Sequence, residues 1–329
     1  MSERGRRWLG IAAAVAVIAL LPVIAQGSAY WHGIMIICAL NVLLAISLNL
    51  VIGYTGQLNL GQSAFYGIGA YVTTVLVQTL KWNFWLAMAA GALAAGLVGI
   101  VLAVFAFRLR GHYLAIASLA FAVITYQILI NWVSVTKGPL GIYAIAPPPP
   151  IALGPVTIAF TSPANLFYLV AGIGLVVYVA LGNLISSPIG ETLRAIREDE
   201  VSAAALGVNG KLWKVFAFAL GSAIAGLAGA FYPGFVGTLV PDAFFIIESF
   251  TLLAMVIVGG MGTMIGPVIG AVLLTVLPEL LRGIGDLRLL VYGLALTLVV
   301  LFMPGGIVQA ARAIWARVRP ARAAPGTAS

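Results

Sequence analysis

The residues equipped for chemistry fall in three places. The first is Glu191–Gly207, where Glu191, Arg194, Arg197, Glu198, Asp199 and Glu200 concentrate charge on good helix formers that Gly207 can stop. Arg194 and Glu198 stand four apart, the spacing of an ion pair on one helix face. Leu193, Ile196 and the Ala203–Leu206 cluster put apolar contacts between the charges, so the stretch reads as a short helix lying on a membrane face. A solvated connector held by its own ion pairs fits the same letters. The second place is the uncharged, glycine- and amide-rich Gly53–Ser63 between two apolar runs. Non-helical backbone at membrane depth survives only where its polar groups are satisfied. Gln57, Asn59, Gln62 and Ser63 are therefore candidates to line a pathway or cap broken helices, with a surface turn as the plainer alternative. Gly259–Gly266 is a weaker stretch of the same type. The third place is Glu248 beside Ser249, inside an apolar run. A charge at the bilayer centre costs roughly 2.5–3.5 kcal/mol on insertion scales. Glu248 is thus expected to face the bundle interior or a wet cavity, where it lines or gates a path or pairs to orient its helix.

Other chemistry is missing. His32 and His112 lie far apart with no acidic or cysteine cluster nearby, so no metal is expected. The single cysteine, Cys38, sits in an apolar run and reads as a small core side chain. No Ser/His/Asp grouping supports a membrane enzyme. No G-x-x-x-x-G-K-[ST] loop is present, so ATP hydrolysis would have to come from elsewhere and no cofactor is expected here.

These groups must be positioned by helices in lipid. The chain of 329 residues is 62% hydrophobic and 8% charged, with a mean hydropathy of +1.12. A soluble domain carries about 25% charged residues, so this composition excludes a soluble enzyme, a nucleic-acid-binding domain and a disordered chain. A membrane crossing takes about 20 apolar residues. Trp8–Ala25, Gly33–Ile52, Ser63–Leu80, Phe84–Phe107, Tyr113–Val133, Ala164–Leu184, Val215–Val236, Ala243–Gly259, Ile265–Leu281 and Leu289–Met303 qualify or nearly so. The expected fold is an all-α, polytopic helical bundle forming a single domain over 1–329, with about ten spans, eight if the shortest do not cross. The first span reads as uncleaved rather than as a leader after Arg4, Arg6 and Arg7.

With the N-terminus inside and sides alternating, all but Lys81, Lys137, Arg282 and Arg288 of the 17 Lys+Arg fall inside. The bias places both termini in the cytoplasm. Loop 134–163 then lies outside and carries the stiff Pro147–Pro150 run. Loop 186–214, with the dense charge, lies inside. Ser222, Gly226, Ala230 and Gly234 recur every four residues, as do Gly262, Gly266 and Gly270, the pattern of closely packed membrane helices.

Several stretches, in order along the chain, resemble one family. They are Asn49–Ala70, Gly111–Leu119, Thr136–Ile142, Gly190–Gly207, Glu248-Ser249, Val258–Thr263 and Phe302–Ile307. The set resembles the LivM-type inner-membrane permeases of ABC importers for branched-chain amino acids. The resemblance implies a LivH-like partner permease, two cytoplasmic ATPase subunits that bind the ATP, and a periplasmic substrate-binding protein, in membrane lipid and without nucleic acid. It implies that Glu191–Gly207 holds the ATPase-docking helix. The general Glu-Ala-Ala of such loops stands here as Glu191-Thr-Leu. It also points to a mostly apolar translocation path with a few polar groups, for which Asn49, Gln57, Asn59, Gln62, Ser63, Glu248 and Ser249 are the candidates. Related permeases carry urea, short amides or other hydrophobic acids, which keeps the cargo open. A stand-alone secondary transporter would carry more coupling acids near the midplane than the single Glu248.

Overall fold

A computed structural model describes residues 12, 14–22, 28–106, 112–153, 156–285, 287–303 and 305–311. The helices are α1 (14–22), α2 (Ala29–Thr55), α3 (Gln62–Gln78), α4 (Phe84–Ala106), α5 (His112–Asn131), α6 (Val133–Thr136), α7 (Pro163–Ile185), α8 (Pro188–Glu198), α9 (Glu200–Ala205), α10 (Gly210–Val236), α11 (Ile246–Gly259), α12 (Gly266–Leu280) and α13 (Leu287–Phe302). Among the described residues, 7 helices are long and apolar enough to cross a membrane: α2, α4, α5, α7, α10, α11 with its lead-in turn, and α12. The protein is a polytopic helical membrane protein. Helices α3 and α13, expected as spans, have 17 and 16 residues. Both ends of the first expected span lie outside the described residues, as do Arg4, Arg6, Arg7, Arg108, Arg110, Arg312, Arg317, Arg319 and Arg322.

Helices dominate because lipid offers no partner for a free N–H or C=O, and an α-helix satisfies them internally. Proline-led starts flank α7 at its two ends: Pro163 opens α7 and Pro188 opens α8 just after α7 finishes, positions where a missing N–H breaks no bond. Helices α2 and α10 form the centre and are buried over most of their apolar lengths. Helix α2 packs against α7, α10 and α12, and α10 packs against α3 and α4. Leu43, Leu44, Leu48, Phe65, Phe218 and Phe231 are fully buried between them.

The small-residue stripe on α10 does what its spacing implies. Gly226 meets Gly69 of α3 so closely that a Cβ added at Gly69 would strike the Gly226 backbone. The second stripe is interrupted. Gly266 and Gly270 lie on α12 and face α11, but Gly262 sits in the preceding turn with φ of 75°. Helical spacing alone does not distinguish a helix face from a turn that precedes it.

Two short ribbons qualify the all-helical expectation. β1 (Ile142–Tyr143) pairs antiparallel with β4 (Thr238–Leu239), and β2 (Ile151–Leu153) pairs with β3 (Val156–Ile158). The Ile145 amide also donates to the Gly237 carbonyl at 3.1 Å. Loop 134–163 is therefore fastened to the end of α10 rather than serving only as a spacer.

Candidate functional site

The Gly53–Ser63 segment is a break in the helical bundle, not a surface turn. Helix α2 ends at Thr55, and the chain turns back so that Gln62 Nε2 donates to Ser47 Oγ at 2.7 Å. Ser47 lies eight residues before Thr55, about 12 Å back along the helix axis. The return is re-entrant, and α3 starts at that depth.

The polar groups of the break satisfy one another. Asn59 Nδ2 donates to Gln62 Oε1 at 2.9 Å, and the Gly61 amide donates to Asn59 Oδ1 at 2.8 Å. Ser118 of α5 accepts from the Leu60 amide at 2.9 Å. Ser249 of α11 accepts from the Ser63 amide at 2.9 Å and donates to Ser63 Oγ at 2.8 Å. Asn59, Gln62, Ser63 and Ser249 are all buried. This hydrogen-bonded seam crosses α2, α3, α5 and α11, as buried polar groups require. Gln57 is buried too, yet among the described residues its Oε1 has no partner.

Glu248 lies half-buried next to Ser249 and, among the described residues, makes no side-chain hydrogen bond. Its neighbour Ser249 bonds Ser63 at the start of α3, the helix that carries Tyr66, and Tyr66 in turn packs on Tyr232 of α10. Those two rings meet each other at 5.6 Å and meet Phe244 at 5.1 and 5.7 Å. No spacing in the sequence signals this aromatic wall, because its members come from α3, α10 and the turn before α11. The other acids that the structure describes in or near spans are engaged: Asp242 accepts from Tyr126 at 2.7 Å, and Glu279 accepts from Tyr30. Asp286 lies outside the described residues.

Asn49 stands apart from the seam. Its Oδ1 accepts from the Gly262 amide and its Nδ2 donates to the Thr263 carbonyl, both at 2.9 Å. It clamps the turn between α11 and α12 to α2. Gly53, one helical turn on, approaches the same Gly262 amide; a Cβ there would lie 2.7 Å from it.

The charged stretch forms two helices at the end of the bundle where α2 and α7 terminate. Leu193 and Ile196 are buried and hold α8 down. The expected Arg194–Glu198 pair does not form; among the described residues the one ion pair is Lys214–Glu200 at 2.6 Å. Both arginines instead reach carbonyls at helix ends. Arg194 donates to Ile185, the last residue of α7, at 3.0 Å, and its guanidinium lies 5.8 Å from the Tyr54 ring centroid. Arg197 donates to the Gly53 carbonyl in the last turn of α2. The signal was in the sequence: Leu193 and Arg197 are four apart and share a face.

Asp199 caps α9, accepting from the Val201 amide at 2.8 Å, the Ser202 amide at 3.2 Å and the Ser202 hydroxyl at 2.6 Å. These bonds, the hydroxyl's foremost, hold its carboxyl below the ordinary carboxylate range. The folded value is the lower one, so the cap contributes at neutral pH and is lost as pH falls through that lowered value. Glu191, Glu198 and Glu200 face outward, and so do Val201 and Leu206, exposed by 79% and 86%. The two apolar side chains complete an acidic surface that the charges alone did not outline. Gly207 turns the chain beyond it with φ of 84°.

A membrane helical bundle with a polar seam at an internal break, and a charged helix pair across the ends of its spans, has the form of a permease. The chain belongs to the family of permease components of branched-chain amino acid transport systems, whose model matches residues 30–303. It is 33% identical to the high-affinity branched-chain amino acid transport system permease LivM of Escherichia coli, over 82% of this chain and 68% of that protein. It is 28% identical to LivH of Salmonella typhimurium, over 81% of this chain and 90% of that protein. A probable LivM of Methanocaldococcus jannaschii matches at 23% identity over 82% of this chain. No solved structure matches.

Proposed function

We propose that this chain is the permease subunit of an ABC importer for branched-chain amino acids in the bacterial inner membrane. The family match over residues 30–303 carries this reading. The chain forms one domain over 1–329 with about ten spans and both ends in the cytoplasm, a topology supported by the distribution of Lys and Arg. Loop 134–163 faces the periplasm. A LivH-like permease pairs with it, two ATPase subunits bind beneath, and a periplasmic binding protein delivers the amino acid. The chain itself takes no cofactor.

The outward residues of 186–214, namely Glu191, Glu198, Asp199, Glu200 and Gly207 with Val201 and Leu206, form the docking surface. ATP binding shifts the permease between inward- and outward-open forms only as far as it favours one of them. The path runs by the seam of Gln57, Asn59, Gln62, Ser63 and Ser249. Glu248, with the Tyr66 and Tyr232 rings, lines it: an apolar wall for an aliphatic side chain and one acid for an ammonium group.

One experiment tests both halves. In the assembled transporter, Glu198→Arg is expected to lower ATPase co-purification. Glu248→Gln is expected to retain the ATPases and reduce uptake at normal permease levels. Wild-type co-purification and uptake in the first variant contradict the docking surface, and unchanged uptake in the second retires the path role.

A further inference from the structure

We infer that Arg197 is the positioning residue through which movement of α8 enters the bundle. The inference rests on the proposed docking role of α8 and adds where the movement goes. In a continuous helix the Gly53 carbonyl would accept from the Gln57 amide. The break at Thr55 diverts that amide to the Val51 carbonyl at 3.3 Å, and Gly56 donates to Ile52 at 3.2 Å. Gly53 is left as an orphan carbonyl of the kind found at every helix C-terminus. Arg197 fills it from a different helix. The cation also sits at the end of α2 where the helix dipole favours positive charge.

The same guanidinium borders the second break. A Cβ added at Gly262 would strike Arg197 Nη1 and come within 2.9 Å of the Gly53 carbonyl. Asn49 ties Gly262 and Thr263 to α2 from the other side. One arginine on α8 therefore touches the last turn of α2 and the α11–α12 turn together. Residues 56–63, which carry the polar seam, follow directly from that last turn. When α8 moves, either α2 follows or the carbonyl loses its partner. A stem packed on Gly56, with Cγ 3.2 Å from where a Cβ would stand, keeps the side chain in that position.

The test uses the whole transporter in proteoliposomes: both permeases, the ATPase subunits and the binding protein. The readout is amino acid taken up per ATP hydrolysed. Arg197→Ala is expected to keep the ATPase subunits bound while uptake per ATP falls about tenfold, or about 1.4 kcal/mol of coupling. Arg197→Lys is expected to recover much of the ratio, because an ammonium can still donate to the Gly53 carbonyl. Gly262→Ala, which displaces the guanidinium, is expected to lower the ratio alone and to add little to Arg197→Ala. An unchanged ratio in Arg197→Ala overturns the inference. Loss of the ATPases in that variant does so too, since Arg197 would then belong to the docking surface. Should Arg197→Ala not accumulate, a wild-type ratio in Gly262→Ala overturns it. If the wild-type permease itself retains no ATPase, the fault lies with the proposed function instead.

Discussion

Replacing Gly69 with leucine is expected to remove the folded permease from the membrane. Gly69 lies on α3 where it crosses α10, and the nearest atoms to a Cβ placed there are the backbone Cα, carbonyl carbon and oxygen of Gly226. Backbone cannot swing aside as a flexible side chain does. Helix pairs in lipid associate by packing rather than by excluding water, so lost closeness has no compensation. Overpacking usually costs about 1–3 kcal/mol; here a whole side chain meets main chain at a central crossing, and the effect should lie at or above the top of that range. The observable is the amount of monodisperse permease recovered from membranes. Wild-type yield and thermal stability would show that α3 and α10 do not approach in this way.

The second large effect is expected at Leu193, which is completely buried beneath the charged helix pair. Truncating a buried leucine to alanine costs about 2–5 kcal/mol. The loss falls on a short helix held by Leu193, Ile196 and two arginines, so it should appear as local detachment of 188–205. A shift of about 2 kcal/mol multiplies the detached fraction roughly thirtyfold. Hydrogen exchange over that segment should quicken accordingly, with ATPase retention falling in step. Leu206, 86% exposed, serves as the control: its alanine variant should leave exchange on α8 unchanged. Exchange as slow in Leu193→Ala as in the parent would mean that α8 is anchored by its arginines alone.

Seven of the spans were legible because lipid demands long uninterrupted apolar runs, and Phe84–Ala106 or Pro163–Ile185 can be little else. The polar seam was legible for the complementary reason: Asn59, Gln62 and Ser63 between apolar helices must find partners. Which partners they find was not legible: Ser47 and Ser118 are ordinary serines until the fold gathers them, and Ser249, marked by its place beside Glu248, gave no sign of pairing with Ser63. The β1–β4 ribbon was hidden because two-residue strands leave no periodicity. The carbonyls that Arg194 and Arg197 reach were not legible, because those of Ile185 and Gly53 are left open only by helix ends that the fold sets; long stems let the two head groups span the gap. Glu248 announced itself by its place in an apolar run, but the ring cluster of Tyr66, Tyr232 and Phe244 draws on distant elements and gave no sign.

The most direct measurement is uptake of a branched-chain amino acid against its gradient in proteoliposomes, with and without the other subunits. The purified chain alone should move no solute uphill, and the complete assembly should do so only while ATP is hydrolysed. Uphill transport by the chain without any ATPase subunit would contradict the assignment of this polypeptide as the passive membrane component.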